Sequence, residues 1–358
     1  MIAREAEGIP ACGIETSEDI MTIKQIAEAL NVSAATVSNV IHGHLEKMSP
    51  ETAQMIRKKI EEYQYIPNMG ARMLAKGASN IIGVVTNYPN LKEKYALQDP
   101  FVSEMIGGLD NAIQTAGYYM MLHAAQNLNE ICHIAGMWNT DGLIVLGLQA
   151  DQCGELVQKV NKPIVFVDCY FHENEHYNNV GLDDRGGMCL LTRYAIAAGH
   201  RSILFIGDQP RPIGVDDYRL RGHQDALEEA GIEWNEDNYF CLPKEHGRRI
   251  QSFEELAAKI GKYTLFMFPS DYYAVDAMDW FMDHGYRIPD DISITGFDDN
   301  ILSQVIRPRL TTVHQDVSQK AENAVKVLIG IISGTSEGPQ EIVLKPRLRL
   351  GDSLRKIV

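Results

Sequence analysis

Residues 22–40 read TIKQIAEALNVSAATVSNV, and this stretch predicts two short helices joined by a tight turn. Thr22 starts a T-x-x-Q pattern, so its hydroxyl can cap the first helix while Gln25 reaches back to the Thr22 backbone. Asn31 falls in the turn, where asparagine tolerates a left-handed backbone. Ser33 is suited to cap the second helix. The pattern predicts a helix-turn-helix.

The outward face of the second helix indicates contact with DNA. Val37, Val40 and Ile41 are expected to face the core. The residues left facing outward are small, hydroxylated or amidic: Ala34, Ala35, Thr36, Ser38 and Asn39. A merely solvated helix would normally carry Lys and Glu, whereas small residues let a helix approach the major groove and an asparagine can pair bidentately with adenine. A small helical domain without a DNA role is the alternative.

A third helix is predicted directly after this pair. Ser49-Pro50-Glu51 supplies a cap, a proline at the first helical position and an acid in the first turn. Its packing residues are expected to be Met55, Ile56, Ile60 and Tyr63.

Charge is distributed unevenly along the chain. The net charge is −15, yet residues 21–80 carry seven Lys or Arg against five Glu, while residues 1–20 and 81–358 are acidic. A slightly basic N-terminal segment on an acidic remainder suits a protein that touches DNA with one end.

Length and composition favour a cytoplasmic multidomain protein. At 358 residues the chain has room for two or three domains. Its longest apolar runs are too short for a membrane span, and its first 20 residues lack the apolar run of a secretory signal. The six cysteines form no CxxC pair and are interpreted as reduced thiols.

From residue 81 onward, strand-like and helical patterns alternate. The strand-like runs are 81–85, 118–122, 142–146, 164–167, 202–206, 265–268, 293–296 and 342–344. The helical runs are 102–116, 152–160, 187–198, 218–230, 274–284 and 317–332. Such alternation predicts an α/β fold of doubly wound parallel sheets covered by helices on both faces, and the length suggests two sheets.

The N-terminal segments resemble one family. TIKQIAEALNVSAATVSNVI, SPET and the YIPN..AR.LA pattern of residues 65–75 are similar to signatures of the LacI/GalR (lactose/galactose repressor) family of bacterial transcription regulators. The resemblance implies a DNA-binding domain at 21–65 and a hinge helix or linker at 66–80. In the family this hinge becomes helical on operator DNA, and Leu74 matches the leucine that wedges into the minor groove.

The resemblance and the helix pattern together nominate a set of DNA-contacting residues. They are Thr22, Ser33, Ala34, Ala35, Thr36, Ser38, Asn39, His42, Tyr65, Asn68, Ala71, Leu74 and Ala75. Many family members have arginine where this chain has Asn39, so their operator preference does not transfer at that position.

The resemblance continues through the body of the chain, in segments such as DGLIVL, KPIVFVD and IPDDISITGFDD. It implies an effector-binding and dimerisation domain at 81–350, built as a two-lobed periplasmic-binding-protein-like fold. One lobe is expected to comprise about 81–180 plus 291–318, and the other about 181–290 plus 319–350. A short tail follows at 351–358, and an acidic extension, disordered or an artefact of the assigned start, precedes the head at 1–20.

Four residues match effector-contacting positions of the family: Phe101, Asp168, Arg219 and Asp271. Carboxylates accept hydrogen bonds from vicinal hydroxyls, a guanidinium donates, and an aromatic ring covers an apolar sugar face. Weaker aromatic candidates are Tyr170, Trp138 and Tyr272, and Leu146 stands where other members carry a polar residue. A sugar or sugar phosphate is the expected effector, with a purine or a partner phosphoprotein as alternatives.

The remaining motifs favour a regulator over an enzyme. His172-Glu173-Asn174-Glu175-His176 has the letters of a zinc-peptidase motif, but its asparagines and its place between two strands predict a polar loop, so no metal is expected. The chain has no G-x-G-x-x-G or Walker motif. The sequence thus predicts a cytoplasmic homodimer without cofactor or catalysis that binds double-stranded operator DNA and a small-molecule effector. A small-molecule binding protein with no functional DNA binding is the alternative.

Overall fold

The computed structural model describes residues 22–41, 44–45, 48–63, 65, 79–87, 95–171, 174–336 and 338–357. They divide into two compact units, one within residues 1–77 and one within 78–358. None of the helices in these ranges is both long and apolar enough to cross a membrane. Residues 66–78 of the predicted hinge and the acidic extension at 1–20 lie outside the described residues.

The N-terminal unit, called the head below, contains three helices in the described ranges. They are α1 (Ile23–Ala29), α2 (Ala34–Ile41) and α3 (Pro50–Glu62). The capping box is confirmed, because the Gln25 amide donates to Thr22 Oγ1 at 3.3 Å and the Thr22 amide donates to Gln25 Oε1 at 2.7 Å. Asn31 has the predicted left-handed backbone, with φ 52°.

The core of the head explains the sequence pattern of its helices, with one exception. Its buried residues are Ile26, Ala27, Val37, Val40, Ala53 and Ile56. The prediction that Met55 packs α3 is wrong, since its side chain is 43% exposed. Ala53, Ile56 and Ile60 recur at helical spacing on the packed face, and residue 55 falls outside that stripe.

The second unit, called the body below, contains two parallel sheets, as predicted. The six-stranded sheet has the order β11-β5-β4-β3-β1-β2, and the four-stranded sheet has the order β7-β6-β8-β9. The strands are β1 (Ile81–Thr86), β2 (Tyr119–Ala124), β3 (Gly142–Leu146), β4 (Ile164–Val167), β5 (Asn179–Leu182), β6 (Ile203–Gly207), β7 (Tyr239–Cys241), β8 (Leu265–Met267), β9 (Ser293–Thr295), β10 (Thr312–His314), β11 (Glu341–Leu344) and β12 (Arg347–Arg349). Strands β10 and β12 form a separate antiparallel pair.

Helices cover both faces of each sheet. They are α4 (Pro100–Thr115), α5 (Leu128–Met137), α6 (Ala150–Lys159), α7 (Asp184–Ala197), α8 (Val215–Glu229), α9 (His246–Ala257), α10 (Asp271–Asp283), α11 (Ile301–Val305) and α12 (Val317–Ile332). On the six-stranded sheet, α4 and α12 pack on one face and α5 and α6 on the other. On the four-stranded sheet, α7 and α8 cover one face and α9 and α10 the other. Each sheet with its helices is called a lobe below, named by its number of strands.

The expected allocation of the last two segments to the lobes is reversed. Strand β9, within 291–318, pairs with β8 in the four-stranded sheet. Strand β11, within 319–350, pairs with β5 in the six-stranded sheet, where α12 also packs. The apolar stripe of α12, which includes Val317, Ala321 and Leu328, is buried against α4 and β3–β5, so this helix belongs to the six-stranded lobe.

Candidate functional sites

The exposed side of α2 has the composition predicted for a DNA-reading helix. Ser33, Ala34 and Ala35 are exposed, and Thr36, Ser38 and Asn39 are half-buried. Val37 and Val40 are buried at 0% and 6% exposure and hold the helix to the head. The face left available for contact is therefore short, uncharged and able to donate and accept hydrogen bonds.

Two of the nominated hydroxyls also stabilise helix starts. Ser33 Oγ accepts a hydrogen bond from the Thr36 amide at 3.0 Å and lies 2.8 Å from Thr36 Oγ1. Thr22 caps α1 in the same manner. These contacts fix the first turns of α1 and α2, whose free amides are suited to phosphate oxygens.

The other nominated DNA contacts divide by location. Tyr65 is half-buried, packs against the head core, and donates its amide to the Ile60 carbonyl at 3.0 Å. His42, Asn68, Ala71, Leu74 and Ala75 lie outside the described residues. Their roles stay predictions.

The body contains a cavity of about 470 Å³ lined by both lobes. The six-stranded lobe contributes Phe101 and Asp168, and the four-stranded lobe contributes Arg219. Asp168 follows directly on β4, with φ 56°, a left-handed conformation that aspartate adopts more readily than most residues. The cavity thus lies at the carboxyl ends of parallel strands, the usual ligand position in such sheets.

Arg219 is a buried cation bound on several sides. Its Nε donates to Asp184 Oδ1 at 2.7 Å, and its Nη1 donates to the Pro269 carbonyl at 2.5 Å and lies 3.5 Å from Asp298 Oδ1. Its guanidinium carbon lies 3.8 Å from the centre of the Phe297 ring. Burial by itself would lower the pKa of Arg219, but the carboxylates of Asp184 and Asp298 outweigh it and raise the pKa, so the side chain stays charged.

Asp168 forms a buried ion pair that the sequence did not reveal. Lys320 Nζ lies 2.7 and 2.8 Å from the two carboxylate oxygens of Asp168, and the Lys320 side chain is 1% exposed. Burial raises the pKa of Asp168, and Lys320 opposes this rise. Lys320 also lies 5.3 Å from the centre of the Phe101 ring, so three elements of the six-stranded lobe meet at this point.

Gln315 forms hydrogen bonds to charged side chains on both lobes. Its Nε2 donates to Asp298 Oδ1 at 2.7 Å, and its Oε1 accepts from Lys320 Nζ at 2.8 Å. Gln315 itself lies between β10 and α12, where the chain passes from one lobe to the other. The polar contacts therefore run without a break from Asp168 to Arg219 across the cavity wall.

The fourth nominated residue, Asp271, does not line the cavity. It is fully buried at the start of α10, where Oδ1 accepts from Thr312 Oγ1 at 2.5 Å and Oδ2 accepts from the Asn300 amide at 3.1 Å. Burial, reinforced by the negative charge of Asp298, raises the pKa of Asp271 to about 8. Direct effector contact by Asp271 is therefore not supported, because its oxygens hold the loops behind the cavity.

The weaker aromatic candidates and Leu146 also lie away from the lining. Tyr170 stacks on Tyr218 at 3.7 Å between ring centres and donates its hydroxyl to Asp184 Oδ2. Trp138 is 54% exposed after α5, and Leu146 is buried in the core of the six-stranded lobe. Tyr272 lies near Arg249, whose Nη2 donates to its hydroxyl at 3.4 Å.

Several cavity residues were missed by the sequence analysis. They are Asn87, Asp208, Lys244, Asp298 and Gln315. Asn87, Asp208 and Asp298 each follow a strand of a parallel sheet closely, which is a signal that could have identified them.

The zinc-peptidase letters do not form a helix in the described residues. His172 and Glu173 lie outside those residues, and 174–178 form irregular chain before β5, consistent with the predicted loop.

The fold and the paired sites define a class of DNA-binding regulators with a ligand-binding body. Residues 22–68 match the family described as bacterial regulatory proteins, lacI family. Residues 82–243 match the periplasmic binding proteins and sugar binding domain of LacI family, and 192–354 match a periplasmic binding protein-like domain. The chain belongs to the LacI/GalR family of bacterial transcription regulators.

Relatives and solved structures agree with this assignment. The chain is 26% identical to the HTH-type transcriptional regulator CelR of Thermobifida fusca, over 93% of this chain and 98% of that protein. It is 29% identical to the HTH-type transcriptional regulator GalR of Escherichia coli (strain K12), over 87% and 89%. Its fold matches the lac repressor dimer bound to operator and the anti-inducer ONPF, with a TM-score of 0.81, 22% identity, and coverage of 94% of this chain and 100% of that one. The chain is a DNA-binding transcription regulator controlled by a small molecule.

Proposed function

We propose that this regulator is a homodimeric repressor whose operator affinity is set by a sugar bound in the cavity between the lobes. The observation that carries the proposal is the polar chain Asp168–Lys320–Gln315–Asp298–Arg219, which connects both lobes beside the cavity. A ligand that bonds to Asp168 and Arg219 makes contacts that depend on the separation of the lobes. Ligand binding is thereby coupled to the geometry of the body.

The proposed effector contacts follow from position. Asp168 accepts hydrogen bonds from ligand hydroxyls, Arg219 donates, and Phe101 covers an apolar sugar face. Asp271 supports the site from behind by holding Asn300 and Thr312. A solved structure of a relative contains CelR with cellobiose, at 24% identity and a TM-score of 0.69, which favours a sugar ligand.

The proposed DNA contacts are the outward face of α2 and the hinge. Two heads would read two half-sites of a pseudo-palindrome, since one helix reaches too few bases for useful specificity. Leu74 would wedge into the minor groove at the centre of the site, and the resulting bend would bring more protein surface onto the DNA. We propose the domain limits 21–65 for the head and 66–80 for the hinge on this basis.

The proposal contains no catalytic step. The family is one of transcription regulators, and among the described residues that line the cavity there is no Ser, Thr, Cys or His. A nucleophile and base of those types are therefore not brought together in this part of the chain.

The test is selection of random DNA duplexes on the full-length protein at fixed salt, with and without a panel of sugars. We expect a palindromic site with a flexible central step, whose binding changes with one sugar. Leu74→Ala should weaken binding to that site, while Met55→Ala, which removes an exposed apolar side chain elsewhere in the head, should not. Sequence-independent retention that no ligand changes would favour the alternative, a small-molecule binding protein without functional DNA binding.

A further inference from the structure

Asp208 is a buried carboxylate in the cavity that the proposed effector contacts leave unused. It follows directly on β6, lines the cavity, and has a side chain that is 6% exposed. Its Oδ2 accepts a hydrogen bond from the Tyr273 hydroxyl at 2.9 Å and lies 3.6 Å from Lys244 Nζ. One of its two oxygens is therefore held in place from within the four-stranded lobe.

The other oxygen, Asp208 Oδ1, is buried without a hydrogen-bond partner among the described residues. Asn87, which follows β1 in the six-stranded lobe and also lines the cavity, has the same property at its Oδ1. A buried acceptor without a donor destabilises the empty site, and more strongly when it is charged. Each lobe thus contributes a cavity-lining residue that carries an unsatisfied acceptor, and a ligand that bonds to both must bring donors.

The charge of the cavity decides which kind of donor is favoured. Its described lining contains six aspartates, at 99, 151, 168, 208, 216 and 298, against two cations, Arg219 and Lys244. The charge of Arg219 is offset by Asp184 at 2.7 Å, and that of Lys244 by an ion pair of 3.6 Å with Asp208 Oδ2. A phosphate or carboxylate on the ligand would enter a field of its own sign, whereas an ammonium would be attracted.

We propose that Asp208 forms a subsite for a protonated amine, so that the effector is an amine-bearing sugar and not a neutral sugar or a sugar phosphate. The ammonium donates to Asp208 Oδ1, and Asn87 Oδ1 accepts a further hydrogen bond from the same ligand. The inference rests on the proposed function, because it assigns the ligand class of the same cavity. It adds to that proposal only that the sugar carries a positive charge.

The test is calorimetric titration of the full-length protein with glucosamine, galactosamine and mannosamine, each compared with its parent hexose and with the hexose 6-phosphate. The titrations are run at a pH below the pKa of the amine. We expect at least one amino sugar to bind about ten- to hundred-fold more tightly than its parent, the range for a hydrogen bond to a buried charge. Asp208→Asn should remove this preference.

A matched control separates local from general charge effects. Asp237→Asn makes the same charge change in the same lobe, at a side chain that is 83% exposed and outside the cavity lining. It should keep the amine preference. Unchanged thermal unfolding of Asp208→Asn would show that the lost preference is not a folding defect.

The possible results distinguish this inference from the proposed function. If a parent hexose or its phosphate binds as tightly as the amine, or if Asp208→Asn keeps the preference, the amine subsite is refuted while a sugar effector stands. If none of the sugars binds while the protein still selects a DNA palindrome, both the amine subsite and the sugar effector are refuted. A preference lost equally in Asp208→Asn and Asp237→Asn would also refute the subsite, because it would reflect net charge alone.

Discussion

Replacing Lys320 by methionine should destabilise the body strongly. The Lys320 side chain is 1% exposed, and its ammonium makes three contacts of 2.7–2.8 Å, two with Asp168 and one with Gln315. Methionine keeps the approximate length of the side chain and removes the charge. Asp168 would then be a carboxylate with 14% side-chain exposure that has lost its hydrogen-bonded cation, and Gln315 Oε1 would lose a donor.

The expected loss is about 3–5 kcal/mol in the free energy of unfolding, the range for breaking a buried ion pair from one side. The lower end is favoured, because solvent reaches part of Asp168. Adding Asp168→Asn to Lys320→Met should recover much of the loss, since the double variant leaves no uncompensated charge. The exposed Lys326 on the same helix supplies the control, and Lys326→Met should change stability by less than about 0.5 kcal/mol.

Urea unfolding at fixed protein concentration, followed by circular dichroism, measures these differences. The deficit of Lys320→Met should shrink as the pH falls. Burial already raises the pKa of Asp168, loss of Lys320 raises it further, and a protonated Asp168 needs no cation. A loss below about 1 kcal/mol, or a double variant no more stable than Lys320→Met, would refute the assignment of Lys320 as the counter-ion of Asp168.

Three further predictions concern the head and the buried acid. Thr22→Ala should cost about 1 kcal/mol of helix stability, seen as faster amide hydrogen exchange in α1 of the full chain, and unchanged exchange would contradict the capping role. Asn39→Ala should weaken binding to the selected operator by about 1–3 kcal/mol while leaving binding to random DNA unchanged, and an equal loss on both would make Asn39 a non-specific contact. Asp271 has a folded pKa of about 8 against an ordinary 3.8, so the stability it contributes is full below about pH 3.8 and is lost as the pH rises through 8. The residue at 271 in Asp271→Asn cannot ionise, so the urea midpoint of this variant should rise relative to that of the wild type between these pH values. Midpoints that change with pH in parallel for the two proteins would show that Asp271 ionises normally.

Local patterns predicted the head well, because its determinants lie within a few residues of each other. The capping box at Thr22, the left-handed Asn31 and the Ser33 cap are all contacts between near neighbours in the chain. Periodicity also identified the inward face of α2.

The allocation of segments to lobes failed, because it depends on pairing between distant strands. Strand β11 pairs with β5, more than 150 residues earlier in the chain, and nothing in its own four residues specifies that partner. The three-residue strands β7, β10 and β12 were missed, whereas β8 and β9, which are equally short, were predicted as part of four-residue runs. Helices α5, α9 and α11 were also missed.

The cavity was predicted in part. Phe101, Asp168 and Arg219 line it, but Asp271 matched the family pattern and lies behind it. Lys320 gave no signal, because a lysine in an amphipathic helix is normally exposed, and only the packing of α12 buries it beside Asp168.

The polar chain beside the cavity links the proposed effector-binding residues directly to the segments that connect the two lobes. Asp184 follows β5 where the chain first leaves the six-stranded lobe, and Gln315 lies where it returns. We expect a substitution at either position to change ligand binding and the relative movement of the lobes together. Redesign of this regulator as a biosensor should therefore begin at Asn87 or Asp208, which lie outside that chain of contacts, so that a new ligand can be accepted without retuning the response.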